Sequence, residues 1–284
     1  MIRSMNRRVA RTTLLVILVS GLLASCAHVP KAPQPDPPIE AASFWKNQEK
    51  LETHFSSITG KTWMKYKGRG SRLVGRGTLT MGFPSSGRWE LRDPIGRVAY
   101  VATLNGSKLT VFHPGKQTAF EDETAGRVFV KQWLGVEGSF ADVQRLVVGI
   151  LPEPWTKAKF REWAWDPERS LYRGKASWDG ADVSVWVHAS DLDVQEISLS
   201  ANGETTQWTY GDYSPCCDGP NGTANQKELF PYLSKLSLKT AGTGIEFQWD
   251  KLAYYLPTAA DHPFELDLPA GTLKKQFQSS VKLP

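Results

Sequence analysis

The chain is poor in the residues around which chemistry is most often organised. Only three cysteines and five histidines occur in 284 residues. His28, His54, His113, His188 and His262 are scattered, without the spacing of a His-Glu-x-x-His helix or a paired metal site. There is no Cys-x-x-Cys, no zinc-type cysteine spacing, no Walker-type phosphate loop and no Gly-x-Ser-x-Gly elbow. The expectation is a protein that is not an enzyme, with no catalytic residues, no metal and no cofactor. A repeat period is also missing, and with only 22% charged residues the composition excludes a coiled coil, a collagen or a solenoid. Even the net charge of +5 is local: setting Arg3, Arg7, Arg8 and Arg11 aside from 34 basic residues leaves 30 against 29 acidic ones. The rest of the chain is nearly neutral, which removes the electrostatic footprint of a nucleic-acid partner.

What is present begins with material for a core, since 40% of residues are apolar and 11% aromatic. At the N-terminus the four arginines precede an apolar run, Leu14-Leu15-Val16-Ile17-Leu18-Val19, that continues to Ala24. A charged start, an apolar centre and small residues at the end make residues 1–25 a secretory signal peptide. The run is shorter than the roughly 20 residues a helix needs to cross a bilayer, so it is not read as a permanent anchor. It ends in Leu23-Ala24-Ser25-Cys26. A thiol in that place is the nucleophile that takes a diacylglyceryl group, and small neighbours leave it accessible. Each buried methylene adds about 0.8 kcal/mol, so several chains on Cys26 hold a protein on a membrane.

Residues 29–38 hold five prolines, an extended polyproline-type spacer that at about 3.1 Å per residue reaches roughly 30 Å. Residues 26–38 are therefore read as lipidated Cys and linker, and residues 39–284 as one domain, because no linker-like composition divides them. Apolar spacing predicts a helix over 39–58. In 72–83, Leu73, Leu79, Met81 and Phe83 share one face with Gly75 and Gly77, opposite Arg72, Arg76, Thr78 and Thr80. Further short strands are predicted at 88–92, 98–104, 108–113 and 117–121, separated by turn chemistry such as Asp93-Pro94 and Asn105-Gly106. Helical spacing follows over 123–134 and 139–151. Strands resume at 160–165, 170–178, 182–189, 194–201, 205–213, 233–240 and 244–255. The predicted fold class is α+β, about eleven antiparallel strands in one curved sheet with helices attached.

That order, together with local motifs, resembles the LolA/LolB-like superfamily of periplasmic lipoprotein carriers and receptors. The residues that carry the resemblance are the lipobox at Cys26, Leu91-Arg92-Asp93-Pro94-Ile95-Gly96, Trp133-Leu134-Gly135-Val136 leading to Val148-Gly149-Ile150-Leu151-Pro152, and Phe264-Glu265-Leu266-Asp267-Leu268-Pro269. The resemblance implies an open β-barrel with helices covering an apolar cavity. It also implies acylated lipoproteins as cargo, a soluble periplasmic carrier of LolA type as donor, and a monomer anchored in the outer membrane, facing the periplasm. Ala27 after the lipidated Cys, where Asp is the usual inner-membrane retention signal, points to the same membrane. In the anchored receptor members an apolar turn residue projects into solvent and touches the membrane. Here that residue is Ile95, unless it folds back onto the sheet. Arg92 and Arg97 beside it either meet lipid phosphates or are solvated turn residues.

Other features stand outside the resemblance. Cys216 and Cys217, adjacent in the loop 213–222, either form a vicinal disulfide, bond to another chain or stay reduced. Residues 65–76 are basic and glycine-rich, which reads as the outward face of a strand. Most of the eleven tryptophans are assigned to core and cavity packing. Three roles remain open from sequence: a lipoprotein receptor, a module of the same fold for another amphiphile, and a structural envelope lipoprotein.

Overall fold

The computed structural model describes residues 32–54, 57–68, 71–134, 138–178, 180–201, 203–215, 229–238, 244–254 and 264–277. Cys26 and the Cys216–Cys217 pair lie outside these residues. A single sheet collects the strands, because one segment after another alternates buried with exposed side chains. β1 (Ser57–Gly68) shows the pattern throughout, with Ile58, Gly60, Thr62, Met64 and Tyr66 inward and lysines 61, 65 and 67 among the outward residues. It is followed by β2 (Ser71–Gly82), β3 (Ser86–Arg92), β4 (Val98–Asn105), β5 (Lys108–His113) and β6 (Thr118–Asp122). After the helices come β7 (Glu162–Asp166), β8 (Leu171–Trp178), β9 (Ala181–His188), β10 (Val194–Ala201), β11 (Glu204–Pro215), β12 (Leu229–Leu238), β13 (Gly244–Tyr254) and β14 (Leu273–Gln276).

The strand order is β14-β6-β5-β4-β3-β2-β1-β13-β12-β11-β10-β9-β8-β7, so two meanders meet where β13 returns to pair with β1. Fourteen strands replace the eleven or so expected. β1 overlaps the end of the predicted helix and the basic segment 65–76, and β14 has no apolar alternation to reveal it. Every neighbouring pair is antiparallel except β14, which runs parallel to β6. The sheet is not closed: β14 and β7 are its two ends. Its two halves nevertheless share one core, so it curls into an open barrel. Close approach helps it bend. A Cβ at Gly77 would lie 2.1 Å from the Glu90 carbonyl oxygen on β3. One at Gly60 would lie 2.5 Å from the Lys251 oxygen, beside the bulge between Lys61 and Thr62.

Helices cover the concave face. α1 (Ala41–His54) buries Phe44, Gln48 and Leu51, one stripe at helical spacing. The expected helix over 39–58 is therefore shorter, and Ile58 belongs to β1. α2 (Arg127–Leu134) and α3 (Phe140–Val147) lie within the predicted helical stretches. α3 opens with a capping box between Ser139 and Asp142, and just beyond its end Gly149 adopts φ +77°. α4 (Glu153–Ala158) forms where Pro152 and Pro154 suggested only a break, since proline is tolerated in a first helical turn.

Polar pins fix the helices to one another and to the sheet. Gln48 accepts from the Leu151 N–H at 2.8 Å and donates to the Gly149 carbonyl at 3.4 Å. Buried Arg145 on α3 pairs with Glu52 on α1. Trp249 on β13 donates its indole N–H to the Val147 carbonyl.

The linker differs from the free spacer its composition suggested. Residues 32–39 lie on the body beside β7 and β8. Ala32 N–H donates to the Pro167 carbonyl at 3.2 Å, and Trp165 Nε1 donates to the Ala32 carbonyl at 3.1 Å. Ile39 N–H donates to Tyr172 Oη at 2.9 Å, and Trp163 Nε1 to the Ile39 carbonyl at 2.8 Å. The shelf is rigid because Trp163 stacks on Tyr172 at 5.3 Å and Trp165 meets the same ring edge-on at 5.2 Å.

Candidate functional site

The concave face is apolar from one meander to the other. Leu79, Met81, Leu104, Leu109 and Val111 come from the first, Val183, Val185, Ile197, Trp208 and Phe247 from the second, and the helices add Phe44, Leu51, Val130 and Phe140. Side chains of one core therefore line both walls and the cover.

Beyond the helices the same face continues. Met64, Tyr66 and Leu91 form a second buried cluster, with half-buried Leu73, Trp89, Tyr100 and Ile245 packed against it, and no helix residue belongs to it. Trp89, Tyr100 and Ile245 also touch the main core, so the two clusters are continuous. The register explains the position: Tyr66 lies opposite Leu73 and Ile245, and Leu91 opposite Gly77 and Tyr100. The result is an apolar rim at the end of the sheet where β3 turns into β4. Sequence reasoning missed Met64 and Tyr66, although the alternation of Thr62, Met64 and Tyr66 with Lys65 and Lys67 was the available signal. His113 and Tyr100 close the outer side of this rim, ring to ring at 4.9 Å. Burial, and then nearby Lys116, lowers the His113 pKa below its ordinary 6.5, while burial raises that of Tyr100.

Ile95 stands on the turn at this rim and is 75% exposed, so it does not fold back onto the sheet. The turn is built to hold it there. Asp93 Oδ1 accepts the N–H groups of Ile95 at 3.0 Å and Arg97 at 2.9 Å, and Arg97 Nε donates to Asp93 Oδ2 at 2.8 Å. The Gly96 N–H donates to the Asp93 carbonyl at 2.9 Å, and Gly96 takes φ +86°, open to glycine without strain. Burial pushes the Asp93 carboxyl up, but the Arg97 guanidinium and the N–H groups of Arg97 and Ile95 outweigh it and hold the pKa below 3.8. Arg92 pairs with Glu90 and donates to the Gly96 carbonyl at 3.1 Å. Arg92 and Arg97 thus brace the turn, and both remain largely exposed.

A cleft of about 520 Å³ lies elsewhere, on the outward side of β4–β6 beneath the segment 264–274. It is polar, lined by Thr103, Thr110, Glu121, Lys108 and Lys274 among others, and both lysines reach Glu121. Among the described residues no group of three His, Cys, Asp or Glu could hold a metal ion, and no helix is long and apolar enough to cross a membrane.

No protein-family model matches the chain, and no curated protein does. Solved structures share its fold. A DUF1329 family protein from Desulfovibrio piger aligns with a TM-score of 0.54 at 7% identity, over 77% of this chain and 95% of that one. A putative outer membrane lipoprotein-sorting protein domain from Vibrio parahaemolyticus aligns with a TM-score of 0.53 at 8% identity, over 78% and 96%. These likenesses show the fold: an open, mostly antiparallel barrel with a helix-covered apolar face.

Proposed function

We propose that this chain is an outer-membrane lipoprotein, anchored through acylated Cys26, that binds the acyl chains of other lipoproteins and passes them to the membrane. In this reading it takes cargo from a soluble carrier of LolA type on its periplasmic side, acting as a monomer without a bound cofactor. The observation that carries the proposal is Ile95, an exposed large apolar side chain on a braced turn beside an apolar rim continuous with the core.

Elementary energetics gives the device its purpose. At about 0.8 kcal/mol per methylene, a chain of some fifteen carbons exposes on the order of 12 kcal/mol of unfavourable contact with water. Free diffusion across an aqueous compartment is blocked, and an apolar face that shields the chain removes the barrier without chemistry. Handover then follows the better binder, which is the bilayer. Ile95 enters the lipid surface at the rim, and Arg92 and Arg97 meet lipid phosphates once there. The lipoprotein-sorting name of the Vibrio structure supports the same class of cargo.

The test uses the full acylated chain in liposomes, mixed with the soluble carrier loaded with an acylated lipoprotein, beside Ile95→Glu. Cargo should reach the liposomes with the native chain, and the variant should accept cargo yet deliver little. If cargo stays on the carrier while the chain extracts another lipid, the receptor role is wrong.

A further inference from the structure

The basic, glycine-rich stretch at 65–76 has no part in the reading above. Between Glu52 and Glu90 the chain holds seven Lys and Arg and no acidic residue. The folded strands put four of the seven on one surface. Lys65 and Lys67 on β1 and Arg72 and Arg76 on β2 point outward, because Met64, Tyr66, Leu73 and Gly75 beside them point inward. Register sets Lys67 directly opposite Arg72, and Arg76 opposite Arg92. Like charges placed opposite one another destabilise a sheet.

Neighbouring acids do not offset them. Among the described residues none of the four forms an ion pair, Glu246 merely lies across the ladder from Lys65, and Glu90 is taken by Arg92. The second meander is built the other way, with Arg169 paired to Glu196, and Arg173 and Lys175 to Glu162. Position adds to charge. The β2–β3 ladder ends at Arg76 and Arg92, whereas the β1–β2 ladder continues to Gly68 and Ser71. The β1–β2 ribbon therefore overhangs β3 by five residues, roughly 15 Å at about 3.3 Å per residue. The turn 93–97 rises beside this overhang and carries Ile95. Unpaired cations next to an exposed isoleucine fit a partner that is anionic at its surface and apolar beneath it. A glycan or a nucleic acid offers the anions but nothing for Ile95.

We propose that the outward face of the β1–β2 overhang is a docking plate for a phospholipid bilayer with anionic headgroups, whose phosphates meet Lys65, Lys67, Arg72 and Arg76 while Ile95 enters the surface. The inference rests on the reading that Ile95 touches a bilayer, and adds to it that the chain selects that bilayer by charge. Each cation at an anionic surface strengthens binding about fivefold, and the attraction fades within a Debye length of about 8 Å at physiological salt. The plate acts at contact and not before.

The test reconstitutes the full acylated chain into immobilised phosphatidylcholine vesicles. It then measures capture of free fluorescent vesicles, made of phosphatidylcholine alone or mixed with phosphatidylglycerol. The native chain should prefer the anionic vesicles on the order of a hundredfold in low salt, and the preference should shrink as salt rises. Lys67→Gln combined with Arg72→Gln should cut that preference roughly twentyfold, with a urea midpoint no lower than that of the native chain, since a like-charged pair is relieved. Equal capture of the two vesicle types by the native chain overturns the plate and leaves the contact of Ile95 with a bilayer standing. Capture of neither overturns both. A double variant that keeps the full preference overturns the assignment to this face. If the double variant captures vesicles as the native chain does but no longer takes cargo from the carrier, the cations serve an acidic protein face and the plate is again overturned.

Discussion

Trp249, near the middle of the sheet, gives its indole N–H to the Val147 carbonyl at 3.1 Å and so joins β13 to the last turn of α3. The ring is fully buried, and Gly60 on β1 leaves it room, since a Cβ there would come within 2.8 Å of it. Trp249→Phe keeps an aromatic ring but removes the bond and opens space. The expected loss is about 1–3 kcal/mol, read as a lower urea midpoint with an unchanged slope.

The turn that carries Ile95 gives a different outcome. Asp93→Ala removes the acceptor of three hydrogen bonds, from Ile95 N, Arg97 N and Arg97 Nε. The thermal midpoint should stay near that of the native chain, because the turn is exposed. Uptake of cargo should be unaffected, and delivery to liposomes should slow severalfold. Uptake and delivery lost together would show that the turn matters to the whole body.

The pH dependence of stability follows from His113. Its folded pKa lies below the unfolded value of 6.5, so the folded state favours the neutral ring. The unfolded chain binds the proton first as pH falls, so this group's contribution is complete above 6.5 and is lost between that value and the lower folded one. Urea midpoints at pH 7.5, 6.5 and 5.5 should fall, and His113→Phe, which keeps a ring against Tyr100, should flatten the slope over that range.

Much of the sheet was legible because its strands alternate cleanly. In β2, Leu73, Gly75, Gly77, Leu79 and Met81 face one way and Arg72, Arg76 and Thr78 the other, and the structure agrees residue by residue. β1 was hidden by its outward lysines and by Phe55 and Ile58, which extend the spacing of α1. β14, Leu-Lys-Lys-Gln, is exposed throughout and owes its existence to β6, so nothing local announces it. The position of Ile95 followed from the turn motif, whereas its exposure had to be seen. The rim cluster depends on register between strands as distant as β1 and β13.

The seat of the proline-rich segment sets the length of the leash. Ala32 is fixed at the β7–β8 turn, so only five residues separate it from Cys26, a distance of about 20 Å at full stretch. Nine antiparallel steps lead from β3 to β7, which puts Ile95 and Pro167 on opposite rims of the barrel. With the proposed acyl anchor on Cys26, the Ile95 rim points away from that bilayer while Trp163 and Trp165 grip the segment. Lifting residues 32–39 off the two tryptophans lengthens the leash to about 50 Å, enough for the body to turn over. Under the proposed receptor role, loading and unloading then become two postures of one tethered molecule.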